Sequence, residues 1–96
     1  MNDSLEPSGS YTLTAAARLV QLSPAGLRRY VRAGLVRPLR VEGQAALFGE
    51  NELARLRKIR RLRQDLGLDS AGLEVAMRLL DEIQSLRAGL EQRDRS

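Results

Sequence analysis

From Leu53 to Leu90 the apolar residues return every three or four positions, and that helical rhythm breaks once, at Gly67-Leu68-Asp69. Two helices are therefore expected to fill the C-terminal half. In the first, Leu53, Leu56, Ile59, Leu62 and Leu66 form the inward stripe, leaving Arg55, Arg57, Lys58, Arg60, Arg61 and Arg63 around the rest of the surface. Gly49 to Asn51 offer caps at its start, Gly67 ends it, and Asp69 or Ser70 can cap the next helix, which should run to about Gln92. At 96 residues the chain is expected to form one compact domain, without room for an added sensor or catalytic domain.

The last helix carries two apolar stripes. Leu73, Met77 and Leu80 suit packing on the preceding elements, while Ala76, Leu79, Ile83, Leu86 and Leu90 alternate spacings of three and four, as a coiled-coil seam does. One lone helix cannot bury both, so the second stripe either meets another copy of the chain or folds back on its own.

Ahead of these helices, residues 1 to 10 read as a mobile leader, polar and almost without apolar content. Thr14 is a plausible N-cap for a short helix from Ala15 to about Val20, with Ala16, Leu19 and Val20 facing inward and Leu22 closing the turn. Ser23-Pro24 is a stronger start signal, because Ser can cap free N–H groups and Pro is preorganised for the first helical position. The resulting helix, Pro24 to about Ala33, meets Gly34 as its stop. Two short helices joined by a tight turn make a helix-turn-helix, whose second helix carries Arg28, Arg29 and Arg32 beside Tyr30. After Pro38, the stretch Leu39 to Phe48 holds Val41, Leu47 and Phe48 around Glu42-Gly43 and should form a small hairpin.

Composition narrows the chemistry. Only three residues are aromatic and none is Trp, so the core must be built from Leu, Ala, Val and Ile, which suits closely packed helices. With no Cys and no His, disulfides, thiol nucleophiles, imidazole bases and soft or nitrogen-liganded metal sites are excluded, and no cofactor is expected. Ser4, Ser8, Ser10 and Ser23 have no base at a defined spacing, and no paired carboxylates lie in a pocket-forming context, so an enzyme is not expected. Met1 to Ser10 lacks the pattern of a signal peptide and no apolar run could span a bilayer, so a cytoplasmic protein without a membrane partner is expected. The net charge of +4 hides an asymmetry. Residues 18 to 63 hold twelve Arg or Lys against three Glu, whereas residues 64 to 96 hold four Arg against seven acids. Fifteen of the sixteen cations are Arg, whose planar fork suits phosphate and carboxylate.

The order of these parts resembles the MerR family. Its most specific words are Ser23-Pro24-Ala25-Gly26-Leu27-Arg28-Arg29-Tyr30-Val31-Arg32-Ala33-Gly34-Leu35 and the Arg37-Pro38 that follows, within a similarity running from about Tyr11 to Leu90. The resemblance implies a mainly α fold, a winged helix-turn-helix head over residues 11–66 with a short β-hairpin wing, and a long dimerisation helix over 67–96. It also implies a homodimer joined through Ala76, Leu79, Ile83, Leu86 and Leu90, with Arg28 and Tyr30 at positions that touch DNA phosphates. The chain departs from the family at Gly26, where Thr is usual, at Val31, where Glu is usual, and at Ala46-Leu47-Phe48, where the wing usually sends an Arg to the DNA backbone.

In the C-terminal half, the run Arg61 to Asp69, then Ala71-Gly72 and Ala76 to Arg87, looks like the chaperone-modulator (CbpM) branch, small MerR-like proteins that bind the J-domain of a DnaJ-type co-chaperone. The heat-shock repressors related to HspR share part of it, including Asp69-Ser70-Ala71-Gly72. The branch resemblance places a J-domain first as partner, met by an acidic face of Asp65, Asp69, Glu74, Asp81 and Glu82. The alternative is a regulator that binds a two-fold symmetric DNA site, with Arg28, Arg29 and Arg32 in or beside a major groove and Arg40, Arg57 and Arg61 reaching phosphates. The recognition helix has no Asn or Gln to read adenine. No small-molecule effector is expected.

Overall fold

In the computed structural model, which describes residues 9–95, Thr12 serves two elements at once. It ends the short strand β1 (Tyr11–Thr12), and its Oγ1 accepts a hydrogen bond from the Ala15 N–H at 3.2 Å, capping α1 (Leu13–Leu19). Thr12 rather than Thr14 is thus the cap, because its pairing with Leu47 holds it in the extended conformation that a cap requires. The earlier start puts Ala15, Ala16, Ala17 and Val20 inward, while Leu19, expected inside, is 49% exposed. Composition puts Ser10 in the leader, whereas the structure puts it in the fold. Ser10 is fully buried, and Met1 to Ser8 lie outside the described residues.

The two helices of the helix-turn-helix end alike. After α1, the Leu22 N–H bonds to the Ala17 carbonyl at 2.8 Å and the Gln21 N–H to that of Arg18, a Schellman closure with Gln21 in the left-handed region at φ +60°. Helix α2 (Pro24–Arg32) begins with Ser23 Oγ accepting from the Gly26 N–H at 2.9 Å. It closes through Leu35 N–H to Tyr30 O, with Gly34 in the left-handed place at φ +77°. Gly fills that place without strain; Gln at the first does not.

The wing comprises β2 (Arg40–Glu42) and β3 (Ala45–Phe48), antiparallel with Val41 opposite Ala46. Its two-residue loop is Gly43-Gln44 rather than Glu42-Gly43, and positive φ at Gly43 fits a type II′ turn. Strand β1 adds to the far side of β3, pairing Tyr11 with Phe48, so the sheet order is β1-β3-β2.

Helix α3 (Glu50–Leu66) is capped by Glu52, whose Oε1 accepts from the Gly49 N–H at 2.7 Å. Leu53, Leu56 and Ile59 are buried, Leu62 is half-buried, and Leu66 is exposed, since the last turn has run past the core. Gly67 at φ +64° ends the helix, and Asp69 Oδ1 accepts from the Gly72 N–H at 2.8 Å to cap α4 (Ser70–Arg95). Leu73 and Met77 on α4 complete one cluster with Leu27, Val36, Phe48, Leu53, Leu56 and Ile59. Burying each such side chain contributes about 1.5–3 kcal/mol.

The second stripe of α4 does not fold back. Leu79, Ile83, Leu86 and Leu90 are 45–70% exposed, and only Ala76 is half-buried. Among the described residues, no helix is long and apolar enough to cross a membrane.

Candidate nucleic-acid interface

Helix α2 turns Leu27 and Tyr30 into the core, and at about 100° per residue this leaves Arg28, Arg29 and Arg32 together on its exposed face. These three stand where the sequence places them. Tyr30 does not, because its ring is 6% exposed and belongs to the core. Its hydroxyl accepts a hydrogen bond from Arg63 Nη1 at 2.9 Å. Tyr30 therefore ties α2 to α3, and Arg63 comes to stand beside the recognition helix. Together with Gln21, Arg60 and Gln64 they line a cavity of about 370 Å³ next to the helix-turn-helix turn.

Arg57 and Arg61 are exposed on α3, one turn apart. Near Arg57 the Tyr11 hydroxyl donates to Glu50 Oε1 at 2.8 Å. That bond holds the phenol proton and raises the Tyr11 pKa above its ordinary value, an effect that Arg57 partly offsets. The wing cation is a different case. Arg40 is half-buried, its Nε pairs with Glu42 Oε1 at 2.8 Å, and its Nη2 reaches Ser10 Oγ at 3.3 Å. Residues two apart on a strand share a face, so Glu42 competes for the group that was expected to meet a phosphate.

The profile of the MerR HTH family of regulatory proteins matches residues 11–93. The chain belongs to the MerR family. A curated relative from Streptomyces coelicolor, which carries the name heat shock protein HspR, is 34% identical over 83 residues, 86% of this chain. The match covers 55% of that relative, so this MerR-family chain spans about half its length. The expected winged helix-turn-helix fold with a long C-terminal helix is thus shown by family and architecture alike. The name of that relative, HspR, is that of one of the two branches that the C-terminal half resembles.

The acidic residues of this MerR-family chain do not form one face. Glu74, Asp81 and Glu82 line a groove of about 560 Å³ between α4 and the end of α2, with Arg78 among them. Asp65 and Asp69 do not line it, and Asp69 is engaged as the α4 cap. Asp81 is engaged too. Its two oxygens take Arg55 Nη1 at 2.8 Å and Nη2 at 3.0 Å, and this bidentate contact holds its carboxyl below the usual aspartate pKa.

Arg55, Arg60 and Arg63 were not singled out as site residues from the sequence. A signal exists for Arg63, which lies four residues after Ile59 and seven after Leu56, in phase with the apolar stripe of α3 although the residue itself is exposed. An arginine in phase with such a stripe can lay its stem along the core edge and carry its head to a polar group there, here the Tyr30 hydroxyl.

Proposed function

We propose that this chain is a DNA-binding regulator of the HspR type, gripping a two-fold symmetric site as a dimer. The observation that carries the proposal is the exposed Arg28, Arg29 and Arg32 face of α2, on a helix whose opposite, buried side is tied to the arginine-rich α3 by the Arg63 to Tyr30 hydrogen bond. A helix in a major groove with flanking cations for the phosphates is the working geometry of a helix-turn-helix. Arg28, Arg29 and Arg32 then face the groove, and Arg57, Arg60, Arg61 and Arg63 are the phosphate contacts. The pairing of Arg40 with Glu42 makes it the weakest member. Dimerisation through Leu79, Ile83, Leu86 and Leu90 would cover apolar side chains that the single chain leaves in water.

Binding of a labelled random duplex, followed by anisotropy across a salt series, tests this. The logarithm of affinity should fall steeply with that of salt, and Arg63→Gln should reduce the slope by about one unit. A protein without affinity for duplex at low salt would sink the proposal. A J-domain partner is the second reading, favoured by the groove that Glu74 and Glu82 border. It predicts co-elution with a purified J-domain, lost on Glu74→Lys with Glu82→Lys.

A further inference from the structure

Arg55 uses three nitrogens of its guanidinium at once. Nε donates to the backbone carbonyl of Leu35, while Nη1 and Nη2 hold the two oxygens of Asp81. Leu35 is the residue that closes α2, through its N–H to Tyr30 O. Asp81 lies one turn beyond Met77, the last buried residue of α4, and from Asp81 to Arg93 every residue is exposed. The side chain thus bridges the exit of the recognition helix and the point where α4 leaves the core.

We propose that Arg55 is a positioning residue that sets the direction of α4 relative to the recognition helix, and thereby the spacing of the two DNA-binding heads. The inference rests on the dimeric DNA-binding reading. Stability is a poor explanation for the contact, since Arg55 and Asp81 side chains are 30% and 52% exposed and such pairs contribute little. Direction is a better one. Beyond Asp81 the helix continues for fourteen residues, a lever of about 21 Å at 1.5 Å per residue. A tilt of roughly 10° displaces its end by about 3.6 Å, close to the rise of one base pair. Only the fork of an arginine can hold a carbonyl and both oxygens of a carboxylate together, so lysine is not equivalent here.

Two variants, Arg55→Gln and Asp81→Asn, test the role, with Asp81→Glu as the conservative control. Duplexes are first selected by the wild-type protein from a random pool, then remade with the half-site spacer one base pair longer and one shorter. The wild-type protein should prefer its own spacer, both variants should bind all three alike, and Asp81→Glu should recover part of the preference. Thermal stability should change little, which separates positioning from folding. Variants that keep the wild-type spacer preference overturn the proposal.

A second measurement needs no DNA. The sequence has no Cys, so Ala25→Cys with Gln92→Cys gives two clean spin-label sites, on α2 and α4, both exposed. With labelled chain diluted in unlabelled chain, the distance between them should be narrowly distributed in the wild-type background and broad with Arg55→Gln. An unchanged distribution overturns the role of Arg55, whereas failure of the wild type to select any duplex overturns the DNA-binding reading instead.

Discussion

The Tyr30 hydroxyl and the Arg63 guanidinium, 33 residues apart in sequence, meet at 2.9 Å and fasten the recognition helix to the basic helix behind it. Tyr30→Phe keeps the buried ring and removes only the acceptor. It should cost about 1 kcal/mol, read as a lower urea midpoint with an unchanged slope. A neutral result would mean that Arg63 is held by other contacts.

At Gln21 the backbone is strained by its own side chain, with φ at +60° in an exposed turn. Replacing it by glycine relieves a left-handed residue at the cost of a more flexible unfolded chain, leaving a net gain of about 0.5–1 kcal/mol. Thermal unfolding of Gln21→Gly should therefore move upward. A fall would show that the Gln21 side chain makes a contact worth more than the strain.

Two substitutions on α4 should separate folding from association. Met77→Ala opens the core and should cost roughly 2–5 kcal/mol. Ile83→Asp alters a side chain that is 45% exposed in the single chain and should leave the circular dichroism of the head intact. By sedimentation velocity the Ile83→Asp protein should run as monomer where the wild type runs as dimer. Equal sedimentation of the two would remove the stripe from the interface.

The Asp81 carboxyl is held below its ordinary pKa of 3.8, chiefly by the bond from Arg55. A depressed acid favours the folded state at pH values above its unfolded pKa, and that contribution disappears as pH falls through the folded pKa. The pair is exposed, so the amount is about 0.2–1 kcal/mol after solvent screening. Denaturation midpoints of wild type and Asp81→Asn should differ slightly at neutral pH and converge in acid below the usual aspartate range. A gap that persists there would assign the effect to something other than this ionisation.

Local signals carried most of the fold. Ser23-Pro24, Gly34, Gly67 and Asp69 each act within a few residues of themselves, and each caps or ends the helix that its chemistry suggested. Strand β1 is two residues long and finds its partner at Leu47 and Phe48, so no alternation could reveal it. Missing it also misplaced the first cap, because Thr12 and Thr14 are chemically alike and only pairing with β3 decides between them. Among site residues, the exposed arginines of α2 followed from helical spacing. Tyr30 with Arg63 and Arg55 with Asp81 are contacts across 33 and 26 residues, which periodicity does not encode.

Because a single unbroken helix bears both Met77 inside the head and Leu90 outside it, the outer stripe is locked in phase with the head. One residue inserted after Asp81 would swing that stripe by about 100° around the axis, whereas seven would bring it back to within about 20° while moving it outward by about 10 Å. Lengthening of this segment is thus tolerable in whole heptads and disruptive in single steps, so the helix behaves as a geared shaft rather than a tether.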